Sequence, residues 1–164
     1  MAAYIWKPHV VDHIHDHGSW GVVAAFIEHF CERKFRRLDD GRIEGHAELE
    51  EVSCKNVFPG DSTYVLPFDD GIHQMENTTD NYAVSLNLYG RPARHGYVQF
   101  FDANNRRVWR GFPPATNKEL LAIRAIGTVA EPWAGELLAD AVKKDLPDFV
   151  KDECRLSLRH RQGN

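Results

Sequence analysis

The chain has 164 residues, 43% of them hydrophobic and 27% charged, which suits one domain-sized core and excludes a disordered tail, a collagen-like repeat or a coiled coil. Twenty basic against 24 acidic residues leave a net charge of −4 with no block of like charge, so no nucleic-acid footprint is expected. The longest uncharged apolar run, Gly21 to Ile27, falls far short of the roughly 20 residues that span a bilayer, so no membrane role is expected. The start lacks the basic, apolar and small-residue pattern of a signal peptide. Three cysteines, Cys31, Cys54 and Cys154, are odd in number and scattered. Free thiols in a reducing compartment fit them better than a disulfide framework, and a cytoplasmic location is expected.

To about Phe112 the chain reads as short β-strands. Apolar, β-branched or aromatic segments recur at Gly21–Phe30, Val52–Val57, Ser62–Leu66, Tyr82–Tyr89, Tyr97–Phe101 and Val108–Trp109. Turn clusters separate them: Leu38-Asp39-Asp40-Gly41, Pro59-Gly60-Asp61, Asp69-Asp70-Gly71, Gly90-Arg91-Pro92 and Asp102-Ala103-Asn104-Asn105. Many short strands between Gly, Pro and Asp turns predict a mainly β sandwich or barrel. Beyond Pro113-Pro114 the periodicity becomes helical. Asn117 is placed to cap a helix from Lys118 to about Ile126, Pro132 to open a second carrying Trp133, Leu137, Leu138, Ala141 and Val142, and Pro147 to precede a third that turns Phe149, Val150 and Cys154 inward. The expected division is therefore 1–112 and 113–164. The apolar helical stripes read as packing on the β domain or as a homodimer interface.

Nine histidines are present, and four of them fall between His9 and His17. In His15-Asp16-His17 an extended backbone puts both imidazoles on one face, about 7 Å apart along the strand, so that two rings can converge on one ion. His9 and His13 share that parity. A second segment runs from Pro59-Gly60-Asp61 through Pro67-Phe68-Asp69-Asp70-Gly71-Ile72-His73, with Asn77 following.

These two segments together resemble the cupin superfamily, in which a His-x-His strand and a later Pro–Gly element followed by a third histidine make a metal site. The resemblance implies a double-stranded β-helix, or jelly-roll barrel, with a C-terminal α-helical extension outside it. The family's glutamate ligand, three or four residues after the second histidine, is absent, since Trp20 and Gly21 stand there and Glu28 lies too far along. The implied metal set is His15, His17 and His73 without a carboxylate.

A three-histidine cupin of this kind resembles the cysteine dioxygenase family of thiol dioxygenases over about residues 5 to 112. Trp6 and Pro8 precede the motif as Trp-x-Pro, Asp70-Gly71-Ile72-His73 matches the second ligand turn, and Ser85-Leu86-Asn87-Leu88-Tyr89 resembles the family's Ser-x-His-x-Tyr strand. Phe101-Asp102 falls where the family's final hairpin reads Phe-Asp. The resemblance implies an Fe(II) enzyme that adds dioxygen to the sulfur of a small thiol, of cysteine or mercapto-acid type, giving the sulfinate. Tyr89, Ser85 and Asn87 become the candidate catalytic group. Arg91, Arg94, Trp20 and His13 become the candidate substrate-binding residues, with Arg91 or Arg94 replacing a carboxylate-binding arginine that the family carries ahead of Trp-x-Pro. Asn87 stands in place of a histidine, so it can orient Tyr89 without shuttling a proton. Gly21 stands where animal members carry a cross-linking cysteine, so no Cys–Tyr cross-link is expected. Two other readings share the motif: a cupin oxygenase acting on a dicarbonyl or similar carbon substrate, and a non-catalytic metal-binding sensor.

Overall fold

The β unit has ten strands, of which the first eight form one antiparallel ribbon doubled back on itself. They are β1 (Ala2–Trp6), β2 (Ile14–His15), β3 (Gly21–Ile27), β4 (Phe30–Arg37), β5 (Leu49–Val57), β6 (Ser62–Val65), β7 (His73–Glu76), β8 (Ala83–Tyr89), β9 (Val98–Asp102) and β10 (Arg107–Gly111). Strand β1 pairs with β8, β2 with β7, β3 with β6 and β4 with β5. The ribbon then splits into two sheets, β1-β8-β3-β6 and β10-β9-β2-β7-β4-β5. That order is the jelly-roll, double-stranded β-helix of cupins, with the β9–β10 hairpin added at one edge. The computed structural model describes residues 1–162. It divides into a β unit, Met1–Gly111, and a helical unit from Phe112 onward.

The buried positions follow the period of two. In β3, Val23 and Ala25 face inward, and with Phe30, Val57, Met75, Ala83 and Trp6 they form one apolar cluster. A second gathers Ala47, Ile72 and Phe101 with Ile14, Phe35, Leu49 and Val108. Between β6 and β7 a single 3₁₀ turn, Phe68–Gly71, aims the chain toward His73. A Cβ on Gly71 would lie 1.8 Å from the Leu66 carbonyl oxygen, so only glycine permits this approach.

Several expectations need correction. The apolar run Gly21–Phe30 is two strands, because the chain turns at Glu28, whose φ is +58°. Strand β4, Phe-Cys-Glu-Arg-Lys-Phe-Arg-Arg, has no apolar alternation to announce it. It is held by pairing with both β5 and β7, and the register shift between Lys34 and Phe35 lets Glu32 and Phe35 both point inward. The parity of His15 and His17 does not extend back to His9 and His13, because β2 is only two residues long and His9 takes a positive φ of 57°.

In the helical unit, α1 (Pro114–Thr128), α2 (Pro132–Lys143) and α3 (Asp148–Gln162) bury Leu120, Ala134, Leu138 and Cys154. Helix α1 starts at Pro114 rather than Lys118, and Asn117 lies in its first turn, where its side-chain amide donates to the Phe112 carbonyl. Trp133 and Leu137 of the expected stripe are 52% and 45% exposed, whereas Leu138 of the same stripe is buried, with Ala134 beside it. Arg124 and Glu153 tie α1 to α3 with bonds of 2.7 and 3.0 Å. Among the described residues no helix is long and apolar enough to cross a membrane.

The acidic loop after β4 is organised by one carboxylate. Asp39 accepts from Arg37 Nε and Nη2 at 2.9 Å each and from the Gly41 and Glu48 backbone amides. The Arg37 guanidinium holds this carboxyl well below the usual carboxylate range. A lowered carboxyl stabilises the fold above its unfolded-state pKa of about 4, and the benefit fades as pH falls toward the folded-state value. Asp39→Asn is therefore expected to cost about 1.5–3 kcal/mol in urea unfolding at pH 7. The gap to the unaltered protein should begin to narrow below about pH 4 and keep shrinking as the pH falls further.

Candidate metal centre

The ribbon's pairing assembles the site. In the β2·β7 pair His15 stands directly opposite His73, although 58 residues separate them in sequence. His17 follows two residues later on the same face, and the three imidazoles meet with ring centroids 4.8, 4.8 and 5.0 Å apart. One ligand nitrogen from each lies within 4.8 Å of the other two.

Each ring's orientation has a local cause. His15 Nδ1 donates to the His13 carbonyl at 2.8 Å, which leaves Nε2 free to coordinate. His73 Nδ1 donates to Glu32 Oε1 at 3.0 Å, and its Nε2 faces His17 Nε2 at 2.9 Å. Thr63 Oγ1 donates to the other Glu32 oxygen at 2.6 Å. Glu32 is fully buried. Burial alone would push its carboxyl up, but the hydrogen bonds from His73 and Thr63, with Lys34 nearby, carry it below its ordinary value, so it is ionised. A carboxylate behind a ligand imidazole fixes the tautomer and raises the ring's basicity.

Burial, and then the neighbouring rings, lower His15 to about 4 and His17 to about 3. Both are neutral at pH 7 with lone pairs available, which is the form a cation requires. The residues therefore fit a divalent metal: three convergent imidazoles, two with defined tautomers, and open space on the remaining side.

That space is a cavity of about 510 Å³, lined by all three histidines with Tyr4, Trp6, Asp12, Ser19, Asn87 and Tyr89 and by apolar residues including Val23, Met75 and Val98. The Tyr89 ring stacks on His17 with centroids 5.6 Å apart and planes at 28°. Gly21 lies opposite Tyr89 in the β3·β8 pair, and a Cβ there would sit 2.8 Å from the Tyr89 ring. Burial, with Tyr4 close by, pushes the Tyr89 hydroxyl up to about 12, so it remains a proton donor. Ser85 is fully buried behind the wall, where its hydroxyl accepts from Trp6 Nε1 at 3.1 Å and from Asn87 Nδ2 at 3.0 Å.

The expected substrate residues do not gather here. Asp16 points to the side opposite His15 and His17, is fully buried, and accepts both Arg94 amino groups, at 2.8 and 2.5 Å, and the Gln99 amide. Arg94 is thus committed to holding its loop and is not in the cavity wall. Arg91 is exposed and outside the wall, Trp20 lies against Gly90, and His13 packs on Phe100 and Trp109. Asn77 braces the fold, its amide donating to the Trp6, Lys7 and Asn81 carbonyls.

Two acidic residues of the site were not singled out from sequence. Glu32 is hidden in a charged segment that gave no strand signal, although its parity with Phe30 would have turned it inward once the strand was recognised. Asp12 gave no sequence signal. Its Oδ1 accepts the Met75 amide at 2.8 Å, its Oδ2 stands 3.7 Å from His15 Nδ1, and burial raises its carboxyl to about 7.

No family model and no curated protein matches this sequence. Among solved structures the chain is similar to the Drosophila melanogaster CENP-C cupin domain, at 16% identity over 54% of this chain and 58% of that chain with a TM-score of 0.39. It is similar to the capsular polysaccharide assembling protein CapF from Staphylococcus aureus, at 20% identity over 65% of this chain and 25% of that one with a TM-score of 0.39. It is also similar to a cupin-superfamily sugar phosphate isomerase from Silicibacter pomeroyi, at 18% identity over 67% of this chain and 64% of that one with a TM-score of 0.40. The chain spans less than two thirds of each of these neighbours' own length. None of the three is described as a thiol dioxygenase.

Two substitutions separate the ligands from their support. His73→Ala is expected to abolish stoichiometric Co(II) binding read by visible absorption. Glu32→Gln should keep the site but weaken it by about 10- to 100-fold. Full affinity in His73→Ala would remove that residue from the ligand set.

Proposed function

We propose that the β unit is an iron-dependent oxygenase that converts a small thiol to its sulfinate, the iron being Fe(II) held by His15, His17 and His73. The observation that supports this most is the set of three convergent imidazoles at one end of a mostly apolar cavity that also holds Tyr89. Three uncharged ligands leave the ion's 2+ charge uncompensated, so an anionic soft ligand such as a thiolate is favoured at the open positions. Ferrous iron, when bound, supplies affinity for the thiolate and the redox chemistry that places both atoms of dioxygen on its sulfur.

The chain's own groups do the rest. Tyr89, protonated at neutral pH and stacked on His17, offers a hydrogen-bond donor beside the metal face. Asn87, anchored on the Ser85 hydroxyl that also accepts from Trp6, presents a fixed polar edge without an ionisable acid proton. Val23, Met75 and Val98 keep the remaining wall apolar, which restricts water around the reacting sulfur.

The far end of the substrate is selected by charge. Among the described residues the wall contains no lysine or arginine, and Asp12 is its only carboxyl group. A mercapto acid would place a carboxylate there without a cationic partner, whereas an aminothiol finds Asp12 and a neutral thiol meets no penalty. The same cation-free wall also accepts a neutral dicarbonyl, the competing oxygenase substrate.

Oxygen uptake by Fe(II)-loaded protein with 2-aminoethanethiol, cysteine, 3-mercaptopropionate and pentane-2,4-dione tests the reading. The aminothiol is expected to be oxidised to its sulfinate, with kcat/KM about 10-fold above that of the mercapto acid, corresponding to about 1.4 kcal/mol. Asp12→Asn should erase that preference, and Tyr89→Phe should retain metal while slowing turnover about 100-fold. Uptake with the diketone alone would transfer the site to carbon-substrate chemistry. Bound metal with no uptake from any compound would leave a binding protein rather than an enzyme.

A further inference from the structure

Two of the three cysteines, 23 residues apart in sequence, are brought together by the β4·β5 pair. Cys54 stands opposite Arg33 and Cys31 opposite Asn56, so the two thiols lie on a diagonal of one sheet face, and their sulfurs are 3.2 Å apart. Cys54 is exposed and Cys31 is buried. Strand β5 is the outermost strand of its sheet, and of its residues only Val57 is buried, so the Cys54 side of the pair is open to a small oxidant. Arg33, which stands opposite Cys54 in the β4·β5 pair, bridges to Glu76 at 3.4 Å.

We infer that Cys31 and Cys54 are a redox-modification site that closes reversibly to an intramolecular disulfide on exposure to a peroxide, and that closing it acts on the metal centre through β4. In the first step the Cys54 thiolate attacks a peroxide oxygen, giving a sulfenic acid and water. In the second the Cys31 sulfur attacks the sulfenyl sulfur, the S–S bond forms and a second water leaves. Two thiols lose two electrons and two protons in total, and one hydrogen peroxide becomes two waters. Burial and the adjacent sulfur push the Cys31 thiol up to about 11, so the exposed Cys54 is the first to react and Cys31 is the resolving thiol.

The link to the metal site is covalent and short. A disulfide needs the sulfurs about 2 Å apart, so they must close by about 1 Å, which pulls on β4 at Cys31 as well as on β5. The residue after Cys31 is Glu32, which points to the other face of β4 and holds His73 Nδ1 at 3.0 Å. Moving β4 therefore moves the group that orients a ligand.

The test uses the full chain loaded with zinc and treated with hydrogen peroxide. The expected product has lost two hydrogens in mass, yields one Cys31–Cys54 cross-linked peptide, leaves Cys154 to react with an alkylating agent under denaturing conditions, and returns to three thiols with dithiothreitol. Cys54→Ser, a change at an exposed position, should lose no thiol pair. Zinc affinity, read by competition with a chromophoric chelator, should fall several-fold in the cross-linked form and recover on reduction. A sulfinic acid at Cys54 with Cys31 still reduced, a Cys54–Cys54 dimer, or a cross-link involving Cys154 would overturn the site. Equal zinc affinities in the two forms would overturn its link to the metal centre.

Discussion

The structure depends on a single register. When the ribbon folds, β2 meets β7 so that His15 faces His73, and every feature of the site follows from that pairing. A slip of one residue would send His73 to the opposite face of the sheet, because side chains alternate strictly along a strand. The register is held from both ends. The Met75 amide donates to Asp12 just before β2, and buried Asp16 fastens the following turn to Arg94 and Gln99. The middle residue of His-Asp-His therefore has a structural task as definite as the chemical task of its neighbours.

The same alternation explains why two buried carboxylates do different work. Asp16 is neutralised by an arginine on the outer side of β2, where it contributes to architecture. Glu32 has no such fork of donors. It is balanced by Thr63, by Lys34 at 3.9 Å and by the ligand imidazole itself, so its charge is directed at the metal position. An isolated buried carboxylate is expensive, and spreading its charge over these partners is what permits it to remain ionised there. Arranged this way, the three-histidine set gains a negative charge behind the His73 ring, on the side away from the position an ion would take.

Much of the site was legible before the fold was known. The pairing of His15 and His17 follows from spacing, and His73 from the family resemblance that the Pro–Gly element ahead of it carries. Tyr89 and Asn87 share a strand face and do line the cavity. The substrate residues were not legible, because sequence proximity is a poor guide around a turn: Arg94 lies near Tyr89 in the chain but is drawn away by Asp16. Glu32 was missed for a related reason. A strand built from Cys, Glu, Arg, Lys and Arg has no hydrophobic alternation, and only its two neighbours in the sheet make it a strand. Asp12 could not be distinguished from any surface aspartate until Met75 and His15 were seen beside it.

The sequence by itself determined the mainly β character of the first two thirds, the helical texture of the remainder, and the residue types that can hold a divalent ion. These depend on local properties: period, turn residues and donor chemistry. Only the tertiary structure decided which charges enter the cavity and which thiols meet. Both depend on contacts between strands far apart in the chain, such as β2 with β7 and β4 with β5, where the antiparallel register sets the partners. Cys31 and Cys54, which look scattered in sequence, are separated by 3.2 Å for that reason alone.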